Sequence, residues 1–187
     1  SVPFQISQSI SPSHNPLVVA FDGTNYLVAW NRDLGLGYPA PTNWDFWGRL
    51  VSPEGTFSGN EVGLVTDNGD QVLPALAFDG MNYLLAWGDG SFTTTNATIR
   101  FRFLDRAAGP VGPSFTLFSA HGTDAPLSPF SSLLFDGTQF VTAGTLGTVQ
   151  MDAAGTVIGF PSGDVYVGFI PRSTTPPRLD TAGPLTG

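Results

Sequence analysis

The sequence predicts an all-β chain built from three antiparallel, hairpin-based repeats. Three observations predict it. One phrase is written three times: AFDGTNYLVAW at 20–30, AFDGMNYLLAW at 77–87 and LFDGTQFVTAG at 134–144, so that Phe21, Phe78 and Phe135 stand 57 residues apart. A fixed period of this length marks a repeat architecture. Within each phrase, two runs of Val, Leu and aromatic residues flank an Asp-Gly pair, which is the pattern of two strands and a tight turn. Helix signals are nearly absent, because 23 Gly and 16 Pro interrupt almost every window.

The elements follow in order. A first strand is expected at PLVVAF (16–21), PALAF (74–78) and SSLLF (131–135). Asp22-Gly23, Asp79-Gly80 and Asp136-Gly137 then supply the turns. Gly takes positive φ without strain, and an Asp carboxylate accepts from the amides that follow it. The second strands are YLVAW, YLLAW and FVTAG. The third are DFWGRLVSPEG, TIRFRFLDRAAG and TVQMDAAG, which end in turns at Glu54-Gly55, Ala108-Gly109 and Ala154-Gly155. Fourth strands are expected in FSGNEVGLVT, SFTLFSA and VIGFPSGDVYVGF. The N-terminal VPFQISQSI matches this fourth type, so residues 1–10 are expected as a displaced outer strand. The repeats span approximately 11–67, 68–124 and 125–170, within one domain at 1–170. A Pro/Thr-rich extended tail follows at 171–187, where Pro176-Pro177 suits a segment laid along a groove or a neighbour.

LVVAF and YLVAW are continuously apolar. A sheet with one wet face should alternate, so these strands point to sheets covered on both faces. Radially stacked blades of a β-propeller meet that condition. A propeller closes with about 4–8 blades, more than the three repeats counted in this sequence. Copies of the chain could complete the array, or the chain could be a fragment of a longer propeller. The alternatives are a three-fold barrel such as a β-trefoil, and an irregular sandwich or solenoid.

FDGTNYLVAW followed by GRLVSPEGTF resembles the tandem FDG-x-N-Y-L-V-x-W repeats of secreted bacterial proteins, which are read as propeller blades. The resemblance covers residues 11–115 and, more loosely, 125–160. In the third copy Phe140 replaces the Tyr and Gly144 the Trp. The resemblance implies an extracellular or cell-surface setting and no single activity.

Composition narrows the function. Charged residues are 12% of the chain, the net charge is −8, and there is no Lys. Nucleic-acid backbones and anionic membranes need clustered cations. The absence of Cys excludes disulfides and thiolate chemistry. No apolar run approaches the ~20 residues of a membrane-spanning helix. The start SVPFQISQSI carries no apolar signal core, so secretion is expected to require a removed segment ahead of Ser1.

The chemistry-bearing candidates are few. His14 and His121 sit in loops rich in Pro, Ser and Gly, without a nucleophile motif beside them. Glu54 and Glu61 are the only Glu, and the thirteen Asp mostly mark turns, so no glycosidase pair can be chosen by spacing. Asp67, Asn68 and Asp70 crowd one loop without the full calcium-loop pattern. The tripeptide at 96–98 fits a glycosylation acceptor and equally a polar hairpin loop. The longest insertion, 31–43, precedes WDFW at 44–47. Its flat aromatics beside carboxylates make Tyr38, Trp44, Asp45 and Trp47 the candidate ligand-binding residues, with a sugar as the fitting ligand. The packing alternative puts Trp44 and Phe46 on one strand face and Trp47 on the other.

The expected function is therefore a non-enzymatic extracellular or cell-surface module. It self-associates, as a homo-oligomer or filament through its end blades and its tail, or docks on another surface component. No metal, cofactor or catalytic residue is assigned. A carbohydrate-binding module on the aromatic loop is the second expectation. A glycosidase or lyase with Asp catalysts is the third.

Overall fold

A computed structural model describes residues 2–8, 17–33, 44–89, 98–119, 124–151 and 157–172, with side chains described except at 117–119, 124–131, 145–151 and 157–166. The described chain is all-β. Its strands form three separate antiparallel sheets, and no sheet closes into a barrel.

The first sheet has the order β1 (Leu17–Phe21), β2 (Tyr26–Asp33), β3 (Trp44–Val51) and β4 (Phe57–Val65). The second repeats it with β5 (Gln71–Phe78), β6 (Tyr83–Asp89), β7 (Thr98–Leu104) and β8 (Pro110–Ser119). The third has three strands in the order β11 (Val157–Pro171), β10 (Gln139–Met151) and β9 (Asp124–Phe135).

Here the third repeat departs from expectation. FVTAG and TVQM were expected as separate strands, yet they are one continuous β10. The stretch AGTLGTVQM contains no Pro and no insertion to break it, so the strand runs on and pairs with β11. Residues 2–8, expected as a displaced outer strand, take no strand pairing. They lie against the first sheet: Phe4 meets the Phe57 ring with centroids 5.9 Å apart, and the Ile6 carbonyl accepts from Arg49 Nη1 at 3.1 Å.

The three Asp-Gly turns are built alike. Phe21 pairs with Tyr26, and Asp22 N donates to Asn25 O at 3.0 Å. Oδ1 of Asp22 accepts from Thr24 N at 2.7 Å and Asn25 N at 2.6 Å. Asp79 repeats this with Met81 and Asn82, and Asp136 with Thr138 and Gln139. Gly23, Gly80 and Gly137 hold φ of 93°, 93° and 102°, where a Cβ would be strained.

The sheets stack in sequence, with β5 between β1 and β9. One core joins Leu27, Ala29, Phe46 and Leu50 of the first repeat to Leu76, Tyr83, Leu85 and Trp87 of the second. The other joins Ala77, Leu84, Phe101 and Phe103 to Phe140 and Ile170 of the third. The middle sheet is thus covered on both faces, and six successive residues of β6, from Tyr83 to Gly88, are buried. That accounts for its unbroken apolar run. The first and third sheets each pack on the middle one through a single face. On the outer face of the first, Trp30, Asp45 and Arg49 are also buried, and the exposed apolar residues cluster at β1 and the start of β2.

Candidate functional site

Two regions carry functional interest: the outer faces of the end repeats, and the polar end of the first two sheets.

Strand alternation defines the outer face of the first repeat. Leu17, Val19 and Phe21 of β1 point away from the second repeat, as does Tyr26, the cross-strand partner of Phe21. Leu17 is 60%, Val19 58%, Phe21 44% and Tyr26 39% exposed. The matching positions of the second repeat are buried under the first: Leu76 is 8% exposed and Tyr83 0%. Segment 2–8 crosses only the β3–β4 side of this outer face, where Arg49 stacks on Phe57 at 3.6 Å and Gln8 N donates to Glu61. On the outer face of the third repeat, Leu134 is 53% exposed and is flanked by half-buried Val141 and Phe169.

Each junction between repeats carries an ion pair. Arg106, in the turn after β7, lies over the Phe78 ring at 4.9 Å and places Nη1 4.0 Å from Asp22 of the preceding repeat. Arg172, just after β11, lies over Phe135 at 5.6 Å and places Nε 3.4 Å from Asp79. Both arginines stand two residues beyond the cross-strand partner of the aromatic residue that opens the repeat's second strand: Leu104 opposite Tyr83, and Ile170 opposite Phe140. Asp22 and Asp79 are buried by these contacts, while Asp136 is exposed. Burial works against the Asp22 charge, but the Asn25 and Thr24 amides, Tyr83 and Arg106 outweigh it and hold the carboxyl below its ordinary range. The Tyr83 hydroxyl is pushed up by burial and by Asp22. An open groove of about 510 Å³ borders the Asp22 pair, lined by Asn25, Leu50, Ser58, Val62 and Arg106.

At the opposite end of the strands lie the predicted ligand residues. Tyr38 falls outside the described residues, as do His14 and His121. Trp44 and Trp47 lie on opposite faces of β3, and Phe46 is fully buried in the core beside the second repeat. Trp47 and Asp45 share the outer face with Trp30 and Arg32, their cross-strand partners. The Arg32 guanidinium covers one side of the Trp47 ring at 4.0 Å and pairs with Glu61. The backbone N–H of Trp44 donates to Asp70 Oδ1 at 3.3 Å. Of the candidates among the described residues, Asp45 and Trp47 share one face of β3 and Trp44 lies on the other.

Asp45 is 3% exposed, and its Oδ1 has no hydrogen-bond partner among the described residues. Burial raises its pKa to about 6, with Asp67 adding to the rise and Arg32 opposing it.

The crowded loop at 66–70 is committed to the protein itself. Asp67 Oδ2 lies 3.5 Å from Arg102 and 3.9 Å from Arg100. Gln71 Nε2 donates to the Asp67 and Gly69 carbonyls at 3.0 and 2.9 Å. Among the described residues no group of three His, Asp or Glu side chains is placed to hold a metal ion.

The sequence reading missed the inter-repeat arginines. No spacing marks them, since Arg106 stands 28 residues after Phe78 (106 − 78) and Arg172 stands 37 after Phe135 (172 − 135). Only the pairing of β7 and β11 with the second strands puts both at one position. No protein-family model matches the chain, and no curated protein matches it.

Proposed function

We propose that the chain is a non-enzymatic β-repeat module that works by contact, joining end to end with further repeat units, copies of itself among them. The observation that carries this reading is the pair Val19 and Leu76. They hold the same position in successive repeats, yet Leu76 is buried under a neighbouring sheet and Val19 is 58% exposed. Leu17, Val19, Phe21 and Tyr26 make one contiguous apolar patch of the kind that marks an interaction surface. Covering ~500 Å² at ~25 cal/mol per Å² yields ~12 kcal/mol before the costs of association and ordering, which is enough for a stable contact. The low charge density leaves little short-range repulsion at such a junction. An extracellular or cell-surface setting accords with the repeat resemblance.

Sedimentation velocity over a concentration series tests the reading. The wild-type chain is expected to associate reversibly, and Val19→Asp to abolish this without changing the far-UV spectrum. A wild-type chain that stays monomeric up to its solubility limit would overturn it. Binding to a polysaccharide, lost in Trp47→Ala, would instead favour the carbohydrate-binding alternative.

A further inference from the structure

Resting on the end-to-end reading, we infer that the outer face of the third repeat is a docking site for a further repeat of this class that carries an Arg at the position of Arg106 and Arg172, with Asp136 as the acceptor. The two internal junctions follow one rule. An Arg in the turn after a repeat's third sheet position lies on that repeat's own Phe and reaches the Asp of the repeat before it, at 4.0 Å from Arg106 to Asp22 and 3.4 Å from Arg172 to Asp79. Asp136 has the same turn, with Oδ1 accepting from Thr138 N at 2.7 Å and Gln139 N at 2.9 Å. It is exposed, and among the described residues no Arg faces it. Leu134, two residues before it, is 53% exposed on the face that a following sheet would cover. Ala77, its counterpart in the second repeat, is 8% exposed beneath the third.

This chain's own first repeat lacks the required Arg. Its turn after β3 is the same four-residue form as the turn after β7: Ser52 N donates to Thr56 O at 2.8 Å and Gly55 N to Ser52 O at 2.9 Å, as Asp105 N does to Gly109 O at 2.8 Å and Ala108 N to Asp105 O at 2.9 Å. Gly55 and Ala108 both hold positive φ. In that common frame Pro53 occupies the Arg106 position. A junction between two copies therefore keeps the apolar contact and loses the ion pair. The preferred occupant of the third repeat's face is an Arg-bearing repeat, and the chain's own first repeat is a weaker one.

Pro53→Arg supplies the missing cation from the chain itself, in a turn that already accepts Arg in the second repeat. Asp136→Asn keeps an oxygen for the two turn amides and removes only the charge. Sedimentation equilibrium is measured for the wild type, Pro53→Arg, Asp136→Asn and the double variant. Pro53→Arg is expected to tighten self-association by up to about fivefold, the scale of a solvent-screened ion pair. The gain should vanish in the double variant, while Asp136→Asn alone should leave the wild-type constant unchanged. Association that is blocked by Val19→Asp yet indifferent to Pro53→Arg would overturn the docking rule and leave the end-to-end reading standing. Monomers throughout would overturn both.

Discussion

Arg172 follows the last strand of the third repeat, and its Nε lies 3.4 Å from Oδ2 of Asp79, in the turn of the second. The contact ties two turns whose own Asp and Gly residues were legible from sequence to a partner that was not. It also sets a scale. The Asp79 side chain is nearly buried, but that of Arg172 is 44% exposed, so solvent screens the pair. Arg172→Ala and Arg106→Ala are each expected to cost at most about 1 kcal/mol, read from urea midpoints.

Removing the acceptor should cost more. Asp22→Ala removes the buried carboxylate that accepts from the Thr24 and Asn25 amides in a turn whose Gly23 and Thr24 are exposed, and is expected to destabilise by about 1–2 kcal/mol. Asp22→Asn keeps an accepting oxygen and should cost clearly less. Equal losses in the two variants would show that charge, and not the turn, dominates.

The glycines in these turns separate strain from packing. A Cβ at Gly23 meets no atom within 4 Å, so Gly23→Val is expected to cost roughly 1–3 kcal/mol through backbone strain alone. At Gly80 the nearest atom is Arg172 Nη2 at 3.5 Å, an ordinary contact, and a similar cost is expected. Unchanged urea midpoints for both variants would contradict the positive-φ turn.

Asp45 gives the stability curve an acid-side rise. Its folded pKa is raised from 3.8 to about 6, so the folded state holds its proton more tightly than the unfolded chain. Stability from this group is complete below pH ~4 and is lost as pH climbs through ~6, by at most about 3 kcal/mol. Asp22 and Asp136 are shifted the other way; their contribution is present above the ordinary carboxyl range and is lost as pH falls through their depressed values. The wild-type urea midpoint is expected to peak near pH ~4–5. Asp45→Asn should raise the midpoint at neutral pH and flatten the curve between ~4 and ~7. A variant that follows the wild-type curve would show that Asp45 is not held in a raised state.

Chelation should matter little. Asp67 is turned to Arg100 and Arg102, and Asp70 accepts the Trp44 N–H, so the one acid-rich loop already has its partners. The melting temperature is expected to stay unchanged in EDTA. A large fall that Ca²⁺ restores would contradict this use of the loop.

The turns and first strands were legible because their determinants are local: Asp bonds amides two and three residues on, and Gly takes the positive φ. Long-range pairings were not. The reach of Arg106 to Asp22 spans a whole repeat, and nothing near either residue announces it. β5 hides a further case. Leu73 takes φ of 56° beside Pro74, and the register shifts between Val72 and Ala75, because Pro74 has no N–H to give the ladder. In the third repeat, Gly144 in place of the repeated Trp signalled divergence, but the merging of two strands into β10 depends on an absent loop more than on a present residue. At the candidate ligand site, strand alternation put Trp44 and Trp47 on opposite faces, as period-2 geometry requires.

The central claim is that the two outer faces are halves of one junction. The chain contains no Cys, so single cysteines can be placed without interference. Val19→Cys and Leu134→Cys chains are mixed and treated with a short bis-maleimide. The account expects the mixed pair to cross-link faster than either chain with itself, and Val19→Cys combined with Phe21→Asp to suppress the reaction. Cross-linking confined to like pairs, or none above the rate of a cysteine placed at exposed Ser58, would contradict it.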